Sequence, residues 1–576
     1  MRATISACLR PTLKPDQLTT MKATLHSYDS ASPRRWPGVV RLALALLLLN
    51  GVLSFTSWWP TVAVLPDARI APEAIAAWLL LSGWLVWRGQ PSPRALGVAA
   101  ALYALLVLGR YLDVVAPSLF GRPLSLYWDV PQLPRFLWVT ASGSPWWATV
   151  LVLVVTALVM WAFHWLLVKA MRMVAEGAML LVRHPALWAL NFLLAALTIA
   201  NTAGVEATWP YVSKPVIPTY ARELKLLWDM RSPERVAALL PATTVVDEAL
   251  RIPGNQVLGA LGERDLMLVF LESYGAVLYD RPEAVAATAD TTAALKQALR
   301  ESGRGVVSAF YTSPTIGGAS DLAHLSVLSG IDLSDPRRHD LLLTTQRPTL
   351  LGVFRHAGYE VFGLYHSVWW DWAERVYYGF DVYLSGPDLG YAGPSFGYWH
   401  IPDQYAIARF EQLHPRTAKR PPRMTVFGTI STHFPFVPVP PYQRDWQRLL
   451  GPDPFDADDV ARAQAEQIDW MNMTPAYLKT INYANTWLAD YFRQPEPRDT
   501  VFLMIGDHQP TSNVSGEGAS WDVPVYLVAR DPALLARFRA LGFSDGMTPQ
   551  RRSLGGLHDL TGTVLRAFGP APLPAH

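Results

Sequence analysis

Three short polar clusters follow apolar runs in the second half of the chain. Glu272-Ser273-Tyr274 follows Leu266–Leu271, Ser431-Thr432-His433 follows Met424–Ile430, and Gly506-Asp507-His508-Gln509 follows Val501–Ile505. Carboxylate oxygen with imidazole nitrogen is a donor set for Zn²⁺ or Mn²⁺. Such an ion activates a hydroxyl and polarises a phosphoryl oxygen. Taken singly, each cluster reads equally as a helix cap or a solvated loop. The single cysteine, Cys8, excludes a disulfide framework, a Cys-ligated zinc or iron–sulfur centre, and a cysteine nucleophile in any later domain.

Separate clusters meet only if a sheet brings them together. Strands are predicted at Leu266–Leu271, Tyr359–Tyr365, Met424–Ile430, Val501–Ile505 and Val523–Val528. Helical patterns lie between several of them, at Thr291–Ser302, Thr349–Ala357, Met473–Tyr491 and Pro532–Leu541. Continuous apolar strands separated by helices argue for a mostly parallel sheet covered on both faces. In such sheets, sites gather at the carboxyl ends of the strands. All three clusters stand at such ends.

The first part of the chain has another character. Of 576 residues, 51% are hydrophobic and only 17% charged, against ~25% charged in soluble domains. Five apolar stretches, Leu42–Trp59, Ala71–Trp87, Ala95–Val115, Pro145–Val168 and Pro185–Thr202, approach the ~20 residues that cross a bilayer. The tail before the first stretch and the loops on its side hold twelve Lys and Arg, the opposite loops four. That asymmetry predicts a cytoplasmic N-terminus and, after five crossings, an outer location for the rest. Leu42–Trp59 lies too deep for a cleaved signal peptide and should stay as an anchor. Aromatics in Leu126-Tyr-Trp-Asp129 and Phe136-Leu-Trp138 suit a segment in the outer interface. A net charge of +2 supplies no field for nucleic acid. There is no internal repeat.

In order and separation, Phe270-Leu-Glu-Ser-Tyr274, Thr432-His-Phe-Pro-Phe436, Gly506-Asp-His-Gln-Pro510 and Asp559-Leu-Thr-Gly-Thr563 resemble the alkaline phosphatase–sulfatase superfamily. Specifically, the chain resembles the membrane-anchored branch of lipoteichoic acid synthases, phosphoglycerol transferases and phosphoethanolamine transferases. The resemblance implies a metal held by Glu272, a nucleophile oxygen, Asp507 and His508. Counting ten residues back from Gly330 places that nucleophile at Ser320, behind Gly317-Gly318-Ala319; Thr315 is the alternative. Without the resemblance, Ser320 reads as an ordinary helix N-cap. His433 falls where relatives contact the substrate phosphate, and Trp370 and Arg375 where they bind a headgroup; a surface aromatic cluster with a stacked Arg reads equally well there. Relatives usually carry Thr at the nucleophile position. Leu322 and His324 stand where a sulfatase motif has Pro and Arg, which argues against sulfate-ester hydrolysis. The missing cysteines set the chain apart from phosphoethanolamine transferases.

The resulting expectation is an N-terminal five-helix transmembrane domain and a C-terminal α/β, sulfatase-like domain with a mostly parallel sheet. Its divisions are a cytoplasmic tail (1–36), the spans (37–203), a connector (204–258) and an extracytoplasmic catalytic domain (259–576). The implied enzyme sits in a bacterial inner membrane and uses one or two divalent ions, Mn²⁺ or Zn²⁺. It moves phosphoglycerol or phosphoethanolamine from a phospholipid donor, through phosphoserine, to a cell-envelope glycan or lipid. Hydrolysis with water as acceptor is the alternative, and a non-catalytic membrane scaffold is a third.

Overall fold

The computed structural model describes residues 35–58, 61–120, 123–134, 137, 146–181, 184–202, 212–232, 238–369, 372, 375–397, 400–417 and 419–570. The expected tail before residue 35, and Phe136 and Trp138 of the expected interface segment, lie outside them. The chain divides into two compact units, one of 1–56, 66–110 and 144–219, the other of 57–65, 111–143 and 220–576.

Helices Arg35–Gly51, Pro72–Arg88, Pro93–Phe120, Trp146–Leu181 and Pro185–Thr202 stand at the five apolar stretches. Only two of the described helices, over Pro93–Leu119 and Trp146–Leu181, are long and apolar enough to cross a membrane; Gly38–Gly51 and Leu187–Ala196 are apolar but shorter. The first stretch differs most from expectation. Its helix stops at Gly51, and short strands Phe55–Ser57 (β1) and Val64–Pro66 (β2) follow. Asn50 explains the stop: its amide donates to the Arg69 carbonyl at 3.0 Å and accepts from the Ala71 N–H at 2.9 Å.

Trp146–Leu181 extends in the other direction. Its 36 residues span about 54 Å at 1.5 Å per residue, well beyond the ~30 Å hydrocarbon core. Lys169 and Arg172, expected in a loop, lie inside it, and Lys169 Nζ sits 5.1 Å from the Trp165 ring centroid. Its buried positions run from Leu167 to Ala178, in a core shared with Leu42, Trp78 and Tyr103. Polar ties support that core. Trp78 Nε1 donates to Asn191 Oδ1 at 2.8 Å, and the Tyr103 hydroxyl donates to the Leu49 carbonyl at 2.8 Å.

The second unit is built on a nine-stranded sheet. Its strands are Asp265–Leu271 (β3), Gly305–Thr312 (β4), Glu360–Tyr365 (β5), Val382–Ser385 (β6), Arg423–Gly428 (β7), Thr500–Gly506 (β8), Asp522–Ala529 (β9), Ser544–Asp545 (β10) and Ser553–Gly556 (β11). They lie in the order β10-β4-β9-β8-β3-β7-β5-β6, with β11 beside β4. β8, β3, β7, β5 and β6 form a parallel block. The predicted strand over Val523–Val528 is part of β9, which runs antiparallel to both β4 and β8. The sheet is therefore mixed and mostly parallel.

Alternation along the strands feeds two cores, as the two-residue strand period requires. Leu266, Leu268 and Phe270 pack with helices Ser320–Ser329, Leu350–His356, Pro532–Ala540 and Leu557–Phe568. Met267, Val269 and Leu271 pack with Ala289–Glu301, Asp403–Leu413 and Thr474–Arg493. Burial on both faces is why these strands read as unbroken apolar runs.

Candidate active site

Register aligns the strand ends. Leu271 of β3 pairs with Gly506 of β8, and Phe270 with Gly428 of β7. Glu272 and Asp507 therefore leave the sheet side by side. Gly506 is required there, because a Cβ would collide with the Tyr274 carbonyl. Ser273 adopts φ 56, a left-handed conformation that costs about 1–2 kcal/mol outside Gly. The turn it makes is well bonded. Ser273 N–H donates to Asp507 Oδ1 at 2.8 Å, Glu272 N–H to Thr429 Oγ1 at 3.0 Å, and Thr432 Oγ1 to the Glu272 carbonyl at 2.6 Å.

The stretch after β4 is docked against the stretch after β8. Ser313 Oγ donates to the Asp507 carbonyl at 2.6 Å, Gly317 N–H donates to the Gln509 carbonyl at 3.0 Å, and Ile316 bridges to Gln509 in parallel. Gly318 at φ 138 and Ala319 at φ 61 then turn the chain into the helix. Ala319 is the cap, and Ser320 is the first helical residue. Its hydroxyl donates to Glu272 Oε2 at 3.2 Å and lies 3.2 Å from His508 Nε2. The Thr315 hydroxyl is used otherwise, donating to the Gly318 carbonyl at 2.7 Å. Thr315 holds the turn, while Ser320 faces the acidic group.

Glu272, Asp507 and His508 are all buried, with one donor atom from each within 4.8 Å of the others. Asp507 Oδ1 accepts from Ser273 and His508 N–H, whereas Oδ2 is buried without a hydrogen-bond partner. His508 Nε2 lies 3.5 Å from Glu272 Oε1 and 3.6 Å from Asp507 Oδ2. Its Nδ1–H donates to the Gln509 carbonyl at 2.8 Å, which leaves the Nε2 lone pair facing the carboxylates.

Among the described residues, the ion-pair partners of these two carboxylates are histidines only. Buried Glu496, by contrast, is matched by Arg304, Arg416 and Arg530. Buried anions without a cation are costly, and burial together with nearby Glu272 pushes Asp507 up to about 6. Donor separations of 3.2–3.6 Å match the edges of a coordination polyhedron with ~2.1 Å bonds. The residues present fit a divalent metal.

His433 lies in the turn after β7. Its Nδ1–H donates to the Phe434 carbonyl at 2.6 Å, and burial, aided by His508, brings its pKa down to about 4. It is a neutral imidazole at pH 7. Arg375 is exposed on the short helix Arg375–Tyr378, with its guanidinium 5.4 Å from the Tyr383 ring centroid. Tyr383 belongs to the edge strand β6, so Arg375 is a stacked arginine on an aromatic cluster. Trp370 lies outside the described residues.

Several supporting residues escaped the sequence reading. Ser273 Oγ donates to Glu272 Oε1 at 2.8 Å, and Thr429, Thr432 and Ser313 brace the strand ends. Only tertiary pairing reveals them. His324 had a signal, since it follows Ser320 by four residues and so shares its helix face. Its Nε2 lies 3.9 Å from Asp507 Oδ2.

Residues 311–569 match the family model described as Sulfatase. Ser320, His433, Asp507 and His508 fall within the match, and Glu272 precedes it. No curated protein matches the chain. Among solved structures, the lipoteichoic acid synthase LtaP from Listeria monocytogenes is 14% identical, with 57% of this chain and 78% of that one covered and a TM-score of 0.35. The Streptococcus pyogenes phosphoglycerol transferase GacH in complex with sn-glycerol-1-phosphate is 9% identical, with 60% and 91% covered and a TM-score of 0.32. The C-terminal periplasmic domain of EcEptC from Escherichia coli, in complex with Zn, is 14% identical, with 46% and 72% covered and a TM-score of 0.30. Over residues 311–569, a little under half of its length, this chain is similar to the sulfatase family.

Proposed function

We propose that the chain is a membrane-anchored, metal-dependent phosphotransferase in which Ser320 carries the phosphoryl group. The observation that carries this reading is the Ser320 hydroxyl, 3.2 Å from both Glu272 and His508. It stands in a buried site whose two carboxylates have, among the described residues, only histidines as ion-pair partners. Glu272, Ser320, Asp507 and His508 would hold the ion, Zn²⁺ or Mn²⁺. When bound, it lowers the pKa of the hydroxyl and offsets charge on the phosphoryl oxygens.

The chain's own groups arrange the rest. Ser320 releases its proton toward Glu272 Oε2, and Oγ attacks a phospholipid headgroup phosphorus. A serine–phosphorus bond forms, the phosphorus–oxygen bond to diacylglycerol breaks, and the leaving alkoxide takes up a proton. An acceptor hydroxyl then attacks phosphoserine, its proton leaves, and the Ser320 hydroxyl is restored. His433 is proposed to meet the substrate phosphate, where it would steady the charge that develops on the phosphoryl oxygens. Phosphoglycerol and phosphoethanolamine are the headgroups proposed, with a glycan or lipid of the cell envelope as acceptor. Arg375 and Trp370 are proposed to bind the headgroup. With water as acceptor the same site is a hydrolase.

Intact-protein mass spectrometry after incubation with defined phospholipids tests the reading. The wild type should gain a headgroup-phosphate adduct that Ser320→Ala loses, and Ser320→Thr should keep activity because it offers the same oxygen. Thr315→Ala should keep the adduct. An adduct that survives in Ser320→Ala and disappears in Thr315→Ala would move the nucleophile to Thr315.

A further inference from the structure

His324 is buried, and its ring is fixed from two sides. It stacks on Phe270 of β3 with centroids 3.8 Å apart and an interplanar angle of 18°, and meets Tyr365 of β5 at 5.9 Å. His324 Nε2 is buried and has no hydrogen-bond partner. It lies 3.9 Å from Asp507 Oδ2, the other buried atom in the site without a partner. Two orphaned polar atoms facing one another are costly unless something completes them.

Geometry limits what that can be. The donor set that closes within 4.8 Å consists of Glu272, Asp507 and His508, so His324 stands outside it, with Asp507 as its ion-pair contact among the described residues. A separation of 3.9 Å is too long for a hydrogen bond. Oδ1 is already anchored by the Ser273 and His508 N–H groups, which leaves Oδ2 free to pivot. A carboxylate oxygen has two lone pairs. An ion uses one, and the second then needs a donor.

We infer that His324 is a positioning residue for the metal site, whose Nε2–H donates to Asp507 Oδ2 once that oxygen carries the ion. This rests on the metal reading proposed above. It ties the helix that begins with Ser320 to the ligand opposite it, so nucleophile and metal are held by one connected frame. Ligating carboxylates are ordinarily supported in this way, and losing the support costs about 10–100-fold in metal affinity.

The test is Mn²⁺ binding to the full-length protein in detergent, followed by the electron paramagnetic resonance signal of free Mn²⁺, with Zn²⁺ competition as a second titration. His324→Phe keeps the stack on Phe270 and removes the donor. It should weaken binding about 10–100-fold and leave the unfolding midpoint of the metal-free protein unchanged. His324→Gln restores an N–H donor and should recover most of the affinity. Unaltered affinity in His324→Phe, or a glutamine variant no better than phenylalanine, would overturn the inference while the metal reading stands. Absence of binding of either ion to the wild type would overturn both.

Discussion

Asp507 shows how a single residue can be unfavourable for the fold and yet central to the proposed site. Burial and Glu272 raise its pKa to about 6, so the metal-free fold binds its proton more tightly than the unfolded chain does. Stability of the metal-free protein should therefore fall as pH rises from about 4 to about 6, because the folded state gives up a proton that the unfolded state has already lost. Metal binding requires the ionised carboxylate and competes with that proton. Mn²⁺ affinity should drop about tenfold per pH unit below 6, as expected for one competing proton, and isothermal titration at several pH values would show it. Asp507→Asn keeps an acceptor for the Ser273 and His508 N–H groups and removes the buried charge. The metal-free variant should melt at or above the wild-type temperature at pH 7, yet gain nothing from added metal. A large loss of metal-free stability would mean that Asp507 is a structural ion-pair member instead.

At the scale of elements, the site depends on strand ends that stop level with one another. β3, β7 and β8 are parallel neighbours in register, so Glu272, the turn bearing His433, and Asp507-His508 emerge at one edge. The opposite edge carries arginine-rich ion pairs, such as Asp265 with Arg420 and Arg498. Charge there is balanced by arginine, whereas at the site edge the partners of the carboxylates among the described residues are histidines. Gly506 is the tightest point, since a side chain would meet backbone rather than a movable group. Gly506→Ala should cost about 1–3 kcal/mol through overpacking, read as a lower urea midpoint. It should also displace Asp507 and reduce bound metal, which a distant substitution of equal cost would not do.

At the scale of the whole molecule, the proposed reaction needs the outer domain on the lipid-donor side of a membrane. The apolar, outward-facing first half of Trp146–Leu181 and the apolar helix Pro93–Leu119 support anchoring. The excess of Lys and Arg on one side of the apolar stretches supports the orientation. A reporter fused after His576 should be active only outside the cytoplasm. Cytoplasmic activity of that fusion would remove both the five-span topology and an outward-facing site. The number of crossings is open to the same method, with reporters placed after Gly51, Arg88 and Thr202.

The candidate residues on β3, β7 and β8 were legible in the sequence because each follows an apolar run, and a parallel sheet brings the carboxyl ends of its strands together. That rule marked Glu272, His433 and Asp507-His508 as candidates, while the metal-holding roles and the count from Gly330 back to Ser320 came from the family resemblance. Five of the nine strands of the sheet followed from apolar runs, whereas β4, β6, β10 and β11 did not. Spacing carries no strand direction, however, and β9 runs antiparallel although its apolar run looks like that of its neighbours. The halt at Asn50-Gly51 was also hidden, because it depends on Asn50 finding backbone partners at Arg69 and Ala71. Only the folded chain shows that Thr315 is committed to its turn and Ser320 is not. Only there does Asp507 Oδ2 stand without a partner and His324 face it. These are contacts between residues far apart in sequence, set by sheet order and burial, which local pattern does not encode.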